Sequence, residues 1–403
     1  LLVVLLFGAF VLSMISWYVT GYHIVGRELR VYEGLVWRRT RAIPLERLQA
    51  VEVVQPLLAR LAGLAELRLE VVGGAKTEAP LAFLSLSEAV ALRDRLLALA
   101  GRLAPAAPAP AGPAVPAGVT PTAPVETAPV AGRELHRVSN QDVVISQLLT
   151  PQIWSLPFAL AFILIQTVSN GSYTFIGIAS AITAMAGIVL QPVRRVLDDW
   201  NFRLARDQAG LRLRHGLLET RNQTVPVDRV QAIRATWPLL WRPVGWLRVR
   251  MGVAGYAGPD EGQGRQSDRL LPVGDLPTAR RLVAEVLFGV DIAALPLTPP
   301  PRRARWLAPI AQPKIGAALT PEVFATWDGV LTRNLTLVPH ARIQSVRVVQ
   351  GPLQRMLRLA TVHADTAGGL HAAAEHRELA EAYALAAELT DRARAARSRP
   401  SAA

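Results

Sequence analysis

The chain has 403 residues, enough for two to four domains, and a formal net charge of +13 at pH 7. Its basic side chains are almost all arginine, with lysine only at Lys76 and Lys314, and arginine favours planar, two-pronged contact with carboxylates and phosphates. This excess charge fits a membrane surface, a nucleic acid or an acidic protein, or it reflects only genomic base composition, because Ala, Arg, Pro and Gly are abundant. The absence of cysteine excludes a disulfide framework and a thiolate metal site.

Residues 1–20 are predicted to form a transmembrane helix. The run from Leu1 to Val19 carries no charged side chain, and about twenty apolar residues span the hydrocarbon core of a bilayer as a helix. A secretory signal peptide is the weaker interpretation, because the run lacks a charged segment at its start and a small-residue cleavage site. The chain begins with Leu rather than Met, which leaves room for a further span before it.

Residues 21–103 are predicted to form a small module with strands first and a helix last. Ile24–Tyr32 and Leu35–Ile43 alternate apolar and polar side chains around Gly34, which marks a hairpin turn. Further strand-like runs follow, and Glu88–Leu103 has apolar residues at helical spacing. Such a module is an antiparallel β-sandwich or a partly open barrel, whose open end the apolar stripe of the final helix would cover.

Two proline-rich stretches are predicted to be linkers. Residues 104–132 are nearly all Ala, Pro, Gly, Thr and Val, and this density of proline favours extended polyproline II over a helix or a strand ladder. Residues 291–309 form the second linker, in which Pro299–Pro301 is followed by three arginines. Those arginines either lie on lipid headgroups or are simply solvated, and the solvated state is favoured.

Residues 143–193 contain no charged side chain and are predicted to cross the membrane twice as a helical hairpin. The tract is too long for one crossing, and the turn-forming run Ser169–Ser172 lies near its middle. The two helices are expected at about Ile153–Val168 and Tyr173–Leu190, with aromatic side chains near the interfaces. A buried hairpin of a soluble protein is the alternative, and the absence of a polar face on either helix argues against it.

Arginines flank all three predicted spans on one side. Because positively charged flanks stay in the cytoplasm, that side is predicted to be cytoplasmic, and the modules would face it. The flanking arginines are Arg27, Arg30, Arg38, Arg39, Arg41, Arg133, Arg137, Arg194, Arg195, Arg203 and Arg206. The sequence therefore predicts a multi-pass protein of the cell membrane.

The module recurs at residues 200–290 and 310–396, each time ending in a predicted helix. A glycine is followed after ten residues by a proline, after three more by an arginine and after two more by a glutamine, and a second arginine follows the first by thirteen residues. Constant spacing of this kind predicts three copies of one small domain. The repeated residues are Gly34, Pro44, Arg47, Gln49 and Arg60 in the first copy, Gly216, Pro226, Arg229, Gln231 and Arg242 in the second, and Gly329, Pro339, Arg342, Gln344 and Arg355 in the third.

Each repeated residue type has a physical interpretation. The glycines are expected to adopt positive φ in a tight hairpin turn, and the prolines to mark an edge strand or an irregular strand start. The arginine–glutamine pair has two interpretations that the sequence leaves open. It forms either a polar surface for lipid headgroups or neighbouring repeats, or an internal lock in which both side chains bond to loop carbonyls, and the internal lock is favoured.

This motif resembles that of the bacterial pleckstrin-homology-like (PH-like) membrane proteins of the YdbS/YdbT type, and three copies in one chain resemble the longer, YdbT-like member. The third copy departs from the other two at His340 and Ala341. The resemblance implies a mainly β, α+β fold with transmembrane helices. Each of three PH-like domains would be a bent, seven-stranded antiparallel β-sandwich closed by a C-terminal helix, and about three helices would span the membrane.

No catalytic constellation, cofactor-binding motif or metal-ligand spacing is found in the sequence. Asp198 and Asp199 are adjacent and are expected in a solvated turn beside the membrane rather than at a metal ion. His363, His371 and His376 lie in the last repeat without ligand spacing. We therefore predict no catalytic, cofactor-binding or metal-binding residue.

The function predicted from the sequence is contact rather than catalysis. The protein is expected to present three cytoplasmic PH-like domains to proteins or to the anionic lipids of the inner leaflet. The partners expected are a smaller PH-like membrane protein or a second copy of the chain, and the resemblance implies a link to envelope stress or to resistance against secreted peptides. The alternative is a component of a peptide or lipid transport or export system. Nucleic-acid binding rests on the high pI alone and is not predicted.

Overall fold

The computed structural model describes residues 21–26, 28–33, 39–45, 48–71, 78–99, 132–161, 165, 175–208, 210–254, 269–287, 289–367 and 369–398. The predicted transmembrane helix at 1–20 and the predicted linker at 104–132, apart from Gly132, lie outside these residues. The chain divides into two compact units. Unit 1 comprises Leu1–His136, Arg203–Arg214 and Glu219–Pro226, and unit 2 comprises Arg137–Phe202, His215–Leu218 and Val227–Ala403.

Unit 1 begins with a three-stranded antiparallel sheet in the order β1-β2-β3. Its strands are β1 (Gly21–Val25), β2 (Glu28–Glu33) and β3 (Arg39–Pro44). The predicted single strand Ile24–Tyr32 is wrong, because Gly26 has a φ of 60° and turns the chain between β1 and β2.

The second sheet of unit 1 has seven strands in the order β6-β5-β4-β10-β9-β8-β7. Its strands and the helices between them are β4 (Leu48–Pro56), α1 (Leu57–Leu61), β5 (Leu64–Val71), β6 (Glu78–Ser85), α2 (Leu86–Leu99), β7 (Arg133–Arg137), β8 (Arg203–Asp207), β9 (Gly210–His215) and β10 (Glu219–Val225). Three of these strands belong to the predicted repeat at 21–103, and three belong to the predicted repeat at 200–290. The sheet therefore continues from one repeat into the next.

The helix α2 closes the core of the first repeat. The buried apolar side chains of this core include Leu29, Ile43, Val51, Val53, Leu67, Leu69, Leu92 and Leu96. Ser85 caps the helix. Its Oγ accepts a hydrogen bond from the Glu88 backbone N–H at 3.2 Å, and the Glu88 carboxylate accepts one from the Ser85 N–H at 3.1 Å.

Unit 2 begins with helices from the apolar tract. They are α3 (Asn140–Leu148), α4 (Pro151–Trp154) and α5 (Phe175–Asp199). The helix α5 contains most of the second predicted crossing, Tyr173–Leu190, and continues to Asp199. Among the described residues no single helix has both the length and the composition of a membrane span, whereas one bent pair, Asn140–Leu148 with Pro151–Ala161 at 46°, has them. The number of about three spans therefore stays a prediction.

Two antiparallel sheets form the rest of unit 2. The larger has six strands in the order β13-β12-β11-β16-β15-β14, and the smaller has the order β17-β18-β19. The strands and helices are β11 (Val230–Trp237), β12 (Trp246–Val253), β13 (Arg269–Asp275), α6 (Leu276–Val286), β14 (Gly316–Leu319), β15 (Val323–Asp328), β16 (Arg333–Pro339), β17 (Ser345–Val349), α7 (Pro352–Met356), β18 (Leu359–Asp365), β19 (Ala372–Glu378) and α8 (Leu379–Ser398). The core of the third repeat brings Phe324 and Val338 of the six-stranded sheet together with Val362 of the small sheet and Leu389 of α8.

Apart from β7, the described strands repeat in sets of six. Each set consists of three strands in one sheet and three in another and ends in a helix, which is α2, α6 or α8. The resemblance implies seven strands in each domain, and six lie among the described residues of each copy. The last three strands of one copy share a sheet with the first three strands of the next.

Candidate functional site

The repeats meet at two strand junctions, where the third strand of one repeat pairs with the fourth strand of the repeat before it. In unit 1, β10 pairs antiparallel with β4, and Thr224 lies opposite Val51. In unit 2, β16 pairs antiparallel with β11, and Leu337 lies opposite Ile233. Val51 and Ile233 both lie seven residues after the repeated proline, and Thr224 and Leu337 both lie two residues before it. The two junctions therefore have the same register.

Charged side chains stabilise the first junction. The Arg221 guanidinium lies 3.6 Å from the Glu52 carboxylate across the junction and 3.0 Å from the Glu219 carboxylate on its own strand. Arg68 on β5 lies 3.6 Å from Glu219 and 3.0 Å from Glu66. Glu52 is only 5% exposed, and this burial raises its pKa, an effect that Arg221 and Arg68 oppose. Arg221 and Arg68 therefore stabilise the charged form of the buried Glu52 carboxylate.

The second junction uses hydrogen bonds instead of ion pairs at the corresponding positions. The Thr236 hydroxyl donates to the Asn334 side-chain oxygen at 3.1 Å. The Arg234 Nε donates to the Thr336 hydroxyl at 3.0 Å, and its Nη2 donates to the His371 carbonyl at 3.2 Å. The register is thus common to both junctions, while the side-chain chemistry differs.

The second repeated arginine reaches from one repeat to the next. Arg60 donates to the Thr220 hydroxyl on β10 at 3.4 Å, within unit 1. Arg242 donates to the backbone carbonyls of Val330 and Leu331 in the turn before β16, at 2.9 and 2.5 Å, within unit 2. Arg355 in the third copy is exposed, and its side chain makes no hydrogen bond to another residue in the described ranges. The motif therefore includes a contact that the first two copies make and the third leaves unmade.

The repeated glycines occupy hairpin turns that need them, which confirms the prediction for two copies. Gly216 has a φ of 105° and Gly329 a φ of 91°. A Cβ atom at Gly329 would lie 1.9 Å from the carbonyl oxygen of Thr332, so no other residue fits this turn without distortion. Gly34 lies outside the described residues.

The repeated prolines close the third strand rather than beginning the fourth. Pro44 and Pro339 are the last residues of β3 and β16, and Pro226 directly follows β10. One turn of 3-10 helix follows in the second copy (Val227–Arg229) and in the third (His340–Arg342). The strand-start alternative is therefore wrong, whereas Pro44 lies in β3, a strand at the edge of its sheet, as the other alternative predicts. A fixed φ near −65° suits the exit from a strand into a tight turn equally well.

In the second copy the glutamine of the arginine–glutamine pair makes the bond predicted for an internal lock, whereas the Arg229 Nε lies 3.8 Å from the Asp228 carboxylate instead of bonding to a loop carbonyl. Gln231 is 7% exposed and its side-chain amide donates to the Arg229 carbonyl at 3.2 Å. The same carbonyl accepts the Ala254 backbone N–H at 3.1 Å. In the third copy Gln344 is exposed and Arg342 is half-buried, so both interpretations stay open there. Arg47 and the side chain of Gln49 lie outside the described part of the first copy.

The predicted solvated turn at Asp198 and Asp199 is wrong for Asp199, which is buried at the end of α5. The Asp199 carboxylate is hydrogen-bonded to Arg269. Burial raises the pKa of Asp199, and the positive charge of Arg269 opposes this rise. Burial also lowers the pKa of nearby Arg248 to about 10. The Arg248 guanidinium lies 4.9 Å from the ring centroid of Trp241, within range of a cation–π contact.

Trp241 also ties α3 to the second repeat. It is 1% exposed, and its indole N–H donates to the Ser146 carbonyl at 2.9 Å. The polar tip of a buried tryptophan needs such a partner, so this contact fixes the position of α3 within unit 2.

Arg60 and Arg242 were singled out by the repeat, but the fourth-strand side chains that act across the junctions, Glu52 and Arg234, were not. The sequence signal of this position is the single charged residue of the fourth strand, eight residues after the repeated proline, which is Glu52, Arg234 or Arg347. Strand alternation alone does not reveal which strand of another repeat lies beside it.

Three stretches of the chain, residues 1–100, 155–289 and 292–393, match the family model of the bacterial PH domain. A similar curated protein is the UPF0699 transmembrane protein YdbT of Bacillus subtilis (strain 168), which is 24% identical over 275 residues, or 62% of this chain and 53% of the relative. The chain thus spans about half the length of the curated relative that it matches. No solved structure matches the chain.

Proposed function

Because the chain belongs to the bacterial PH domain family, we propose that it is a non-enzymatic membrane protein that presents an array of PH-like domains to other proteins or to lipid headgroups. The observation that carries this proposal is the common register of the two strand junctions. A domain whose sheet edges repeatedly add to another copy of itself is built for contact, because strand addition supplies affinity through backbone hydrogen bonds.

The chemistry of the described residues supports contact rather than catalysis. No group of three or more His, Asp or Glu side chains is placed to hold a metal ion within the parts of the chain that the structure describes. The buried charges act on neighbouring strands and helices, as Glu52 and Asp199 illustrate. A net charge of +13 carried almost entirely by arginine suits anionic headgroups as a second contact class.

The proposed location is the cell membrane, with all three domains on the cytoplasmic side. Its support is the apolar tract at 143–193, the one-sided arginine flanks and the likeness to a relative named as a transmembrane protein. The chain lacks cysteine, so single thiols can report the location of each repeat. Leu58, Val244 and Met356, which are 78%, 52% and 80% exposed, provide one labelling site in each repeat.

A membrane-impermeant maleimide tests this arrangement in intact cells. Leu58→Cys, Val244→Cys and Met356→Cys are expected to react only after the membrane is permeabilised. Ser172→Cys, in the predicted outer turn of the hairpin, is the matched control and is expected to react from outside. Reaction of any one of the three repeat thiols in intact cells would contradict the cytoplasmic location.

The proposed setting is a complex linked to envelope stress or to resistance against secreted peptides, and the resemblance described above supports it. A strain without this protein is expected to become more sensitive to some members of a panel of antimicrobial peptides. Complementation with the unsubstituted chain is expected to restore resistance. Unchanged sensitivity to the whole panel would remove this part of the proposal.

A further inference from the structure

We propose that copies of this chain join head to tail, with strand β17 of one copy adding to strand β3 of the next. The inference deepens the proposed contact function by naming a second copy as the protein partner. The head-to-tail contact rests on strand register, whereas the proposed location rests on the membrane helices. An experiment can therefore contradict one of these two proposals and leave the other standing.

Among the described strands, β3 and β17 are the third and the fourth strand of the repeating pattern that have no partner across a junction. The third strands β10 and β16 each pair with a fourth strand, β4 or β11. Among the described strands, the remaining third strand, β3, and the remaining fourth strand, β17, each end a sheet with one edge unpaired. The sixth strands β6, β13 and β19 end their sheets in all three repeats. An open edge at a sixth strand is therefore part of the pattern and does not indicate a missing partner.

The common register predicts how the two open edges would align. Applied to β3 and β17, it sets Ala42 opposite Val346 and Thr40 opposite Val348, and every residue of β17 finds a counterpart on β3. The edges are open to solvent, because Thr40 and Ala42 are exposed and Val349 is 45% exposed. Unpaired backbone groups on such edges accept another strand readily.

Arg355 provides a second, independent indication. Its counterparts Arg60 and Arg242 each hold the third strand, or the turn before it, of the following repeat. Arg355 is exposed at the same point of the third repeat. In a head-to-tail pair, the first repeat of the second copy would take the place of that following repeat.

The alignment also sets Arg347 opposite Arg41, a like-charge pair that weakens the contact. Asp365 offsets part of this charge, because its carboxylate binds the Arg347 guanidinium at 2.7 and 2.9 Å. Charged residues on open edges discourage strand pairing, so these arginines lower the affinity that the matched edges provide.

Disulfide formation between differently tagged full-length chains tests the register directly. One chain carries Ala42→Cys and the other Val346→Cys, and no other thiol is present. Opposed Cα atoms of antiparallel strands are about 4.5–5.5 Å apart, within the range of a disulfide, whereas a shift by two residues gives about 7–8 Å. Under mild oxidation in native membranes, the disulfide-linked pair of tags is expected to be the main product.

Matched variants separate this result from misfolding and from random collision. Ala42→Cys with Val348→Cys is the off-register control and is expected to give only the background seen with single variants. Val51→Cys with Thr224→Cys in one chain tests the observed junction and is expected to form an internal disulfide. Arg355→Ala is expected to lower the yield of the Ala42–Val346 pair, whereas Arg394→Ala, at an exposed site on α8, is expected to leave it unchanged.

Three outcomes would overturn the proposal. Equal yields for the in-register and off-register pairs would show collision rather than strand addition. A disulfide that forms only when Ala42→Cys and Val346→Cys are in the same chain would show that the edges close on their own copy. No disulfide in either arrangement, with the internal control formed, would show that another protein or nothing covers these edges.

Discussion

The Arg221→Ala substitution tests whether the first junction depends on its buried ion pair. Removing one member of a buried pair typically costs about 3–5 kcal/mol, because the remaining charge loses its partner. We expect about 2–3 kcal/mol here, because Arg68 still opposes the burial of the Glu52 charge. Glu52→Gln alone removes the charge that needs a partner and is expected to change stability by less than about 1 kcal/mol.

Hydrogen exchange of the backbone amides in β4 and β10 measures this local stability in the full-length chain. Arg221→Ala is expected to accelerate exchange in both strands by about a hundredfold, as 2–3 kcal/mol implies. Adding Glu52→Gln to Arg221→Ala is expected to restore most of the protection. If the double variant exchanges as fast as Arg221→Ala, Glu52 does not depend on Arg221 and the reasoning is refuted.

The same pair predicts a pH dependence. The pKa of Glu52 in the folded protein is raised above its usual value near 4.5 by burial, and loss of Arg221 raises it further. As the pH falls through this raised pKa, Glu52 takes up a proton and the cost of lacking Arg221 decreases. The stability gap between Arg221→Ala and the unsubstituted chain is therefore expected to narrow towards acidic pH.

Three further substitutions test other contacts. Gly329→Ala forces a Cβ against the Thr332 carbonyl and is expected to lower the midpoint of thermal unfolding. Gly351→Ala is the control and is expected to have little effect, because the φ of Gly351 is −74°, which alanine adopts readily. Trp241→Phe leaves the Ser146 carbonyl unpaired and is expected to cost about 1–3 kcal/mol, measured as faster exchange in α3. Asp199→Ala leaves Arg269 without its buried carboxylate and is expected to cost about 3 kcal/mol, seen as faster exchange in β13, while unchanged exchange would contradict the pairing.

Local features of the fold were predictable from the sequence. The positive φ of Gly216 and Gly329 follows from a glycine between two alternating runs, and the cap at Ser85 follows from its spacing to Glu88. Both depend on residues close in the chain, whose geometry the backbone fixes.

Long-range features were not predictable in the same way. Glu52 and Arg221 are 169 positions apart, and nothing in either strand names the other as its neighbour. Asp199 is solvated in the sequence-based interpretation because its partner Arg269 lies 70 positions later. The break at Gly26 was missed because a glycine within an alternating run also fits a bulge or a plain strand.

The common register of the junctions has an evolutionary consequence. If the middle copy were lost by recombination, β16 would meet β4 with Leu337 opposite Val51, an alignment that both strands already accept elsewhere. Copies of this domain can therefore be gained or lost by gene duplication and deletion without a change of strand register at the junctions. Only the side chains differ between the two junctions, with Glu52 and Arg221 at the first and Thr236 and Asn334 at the second.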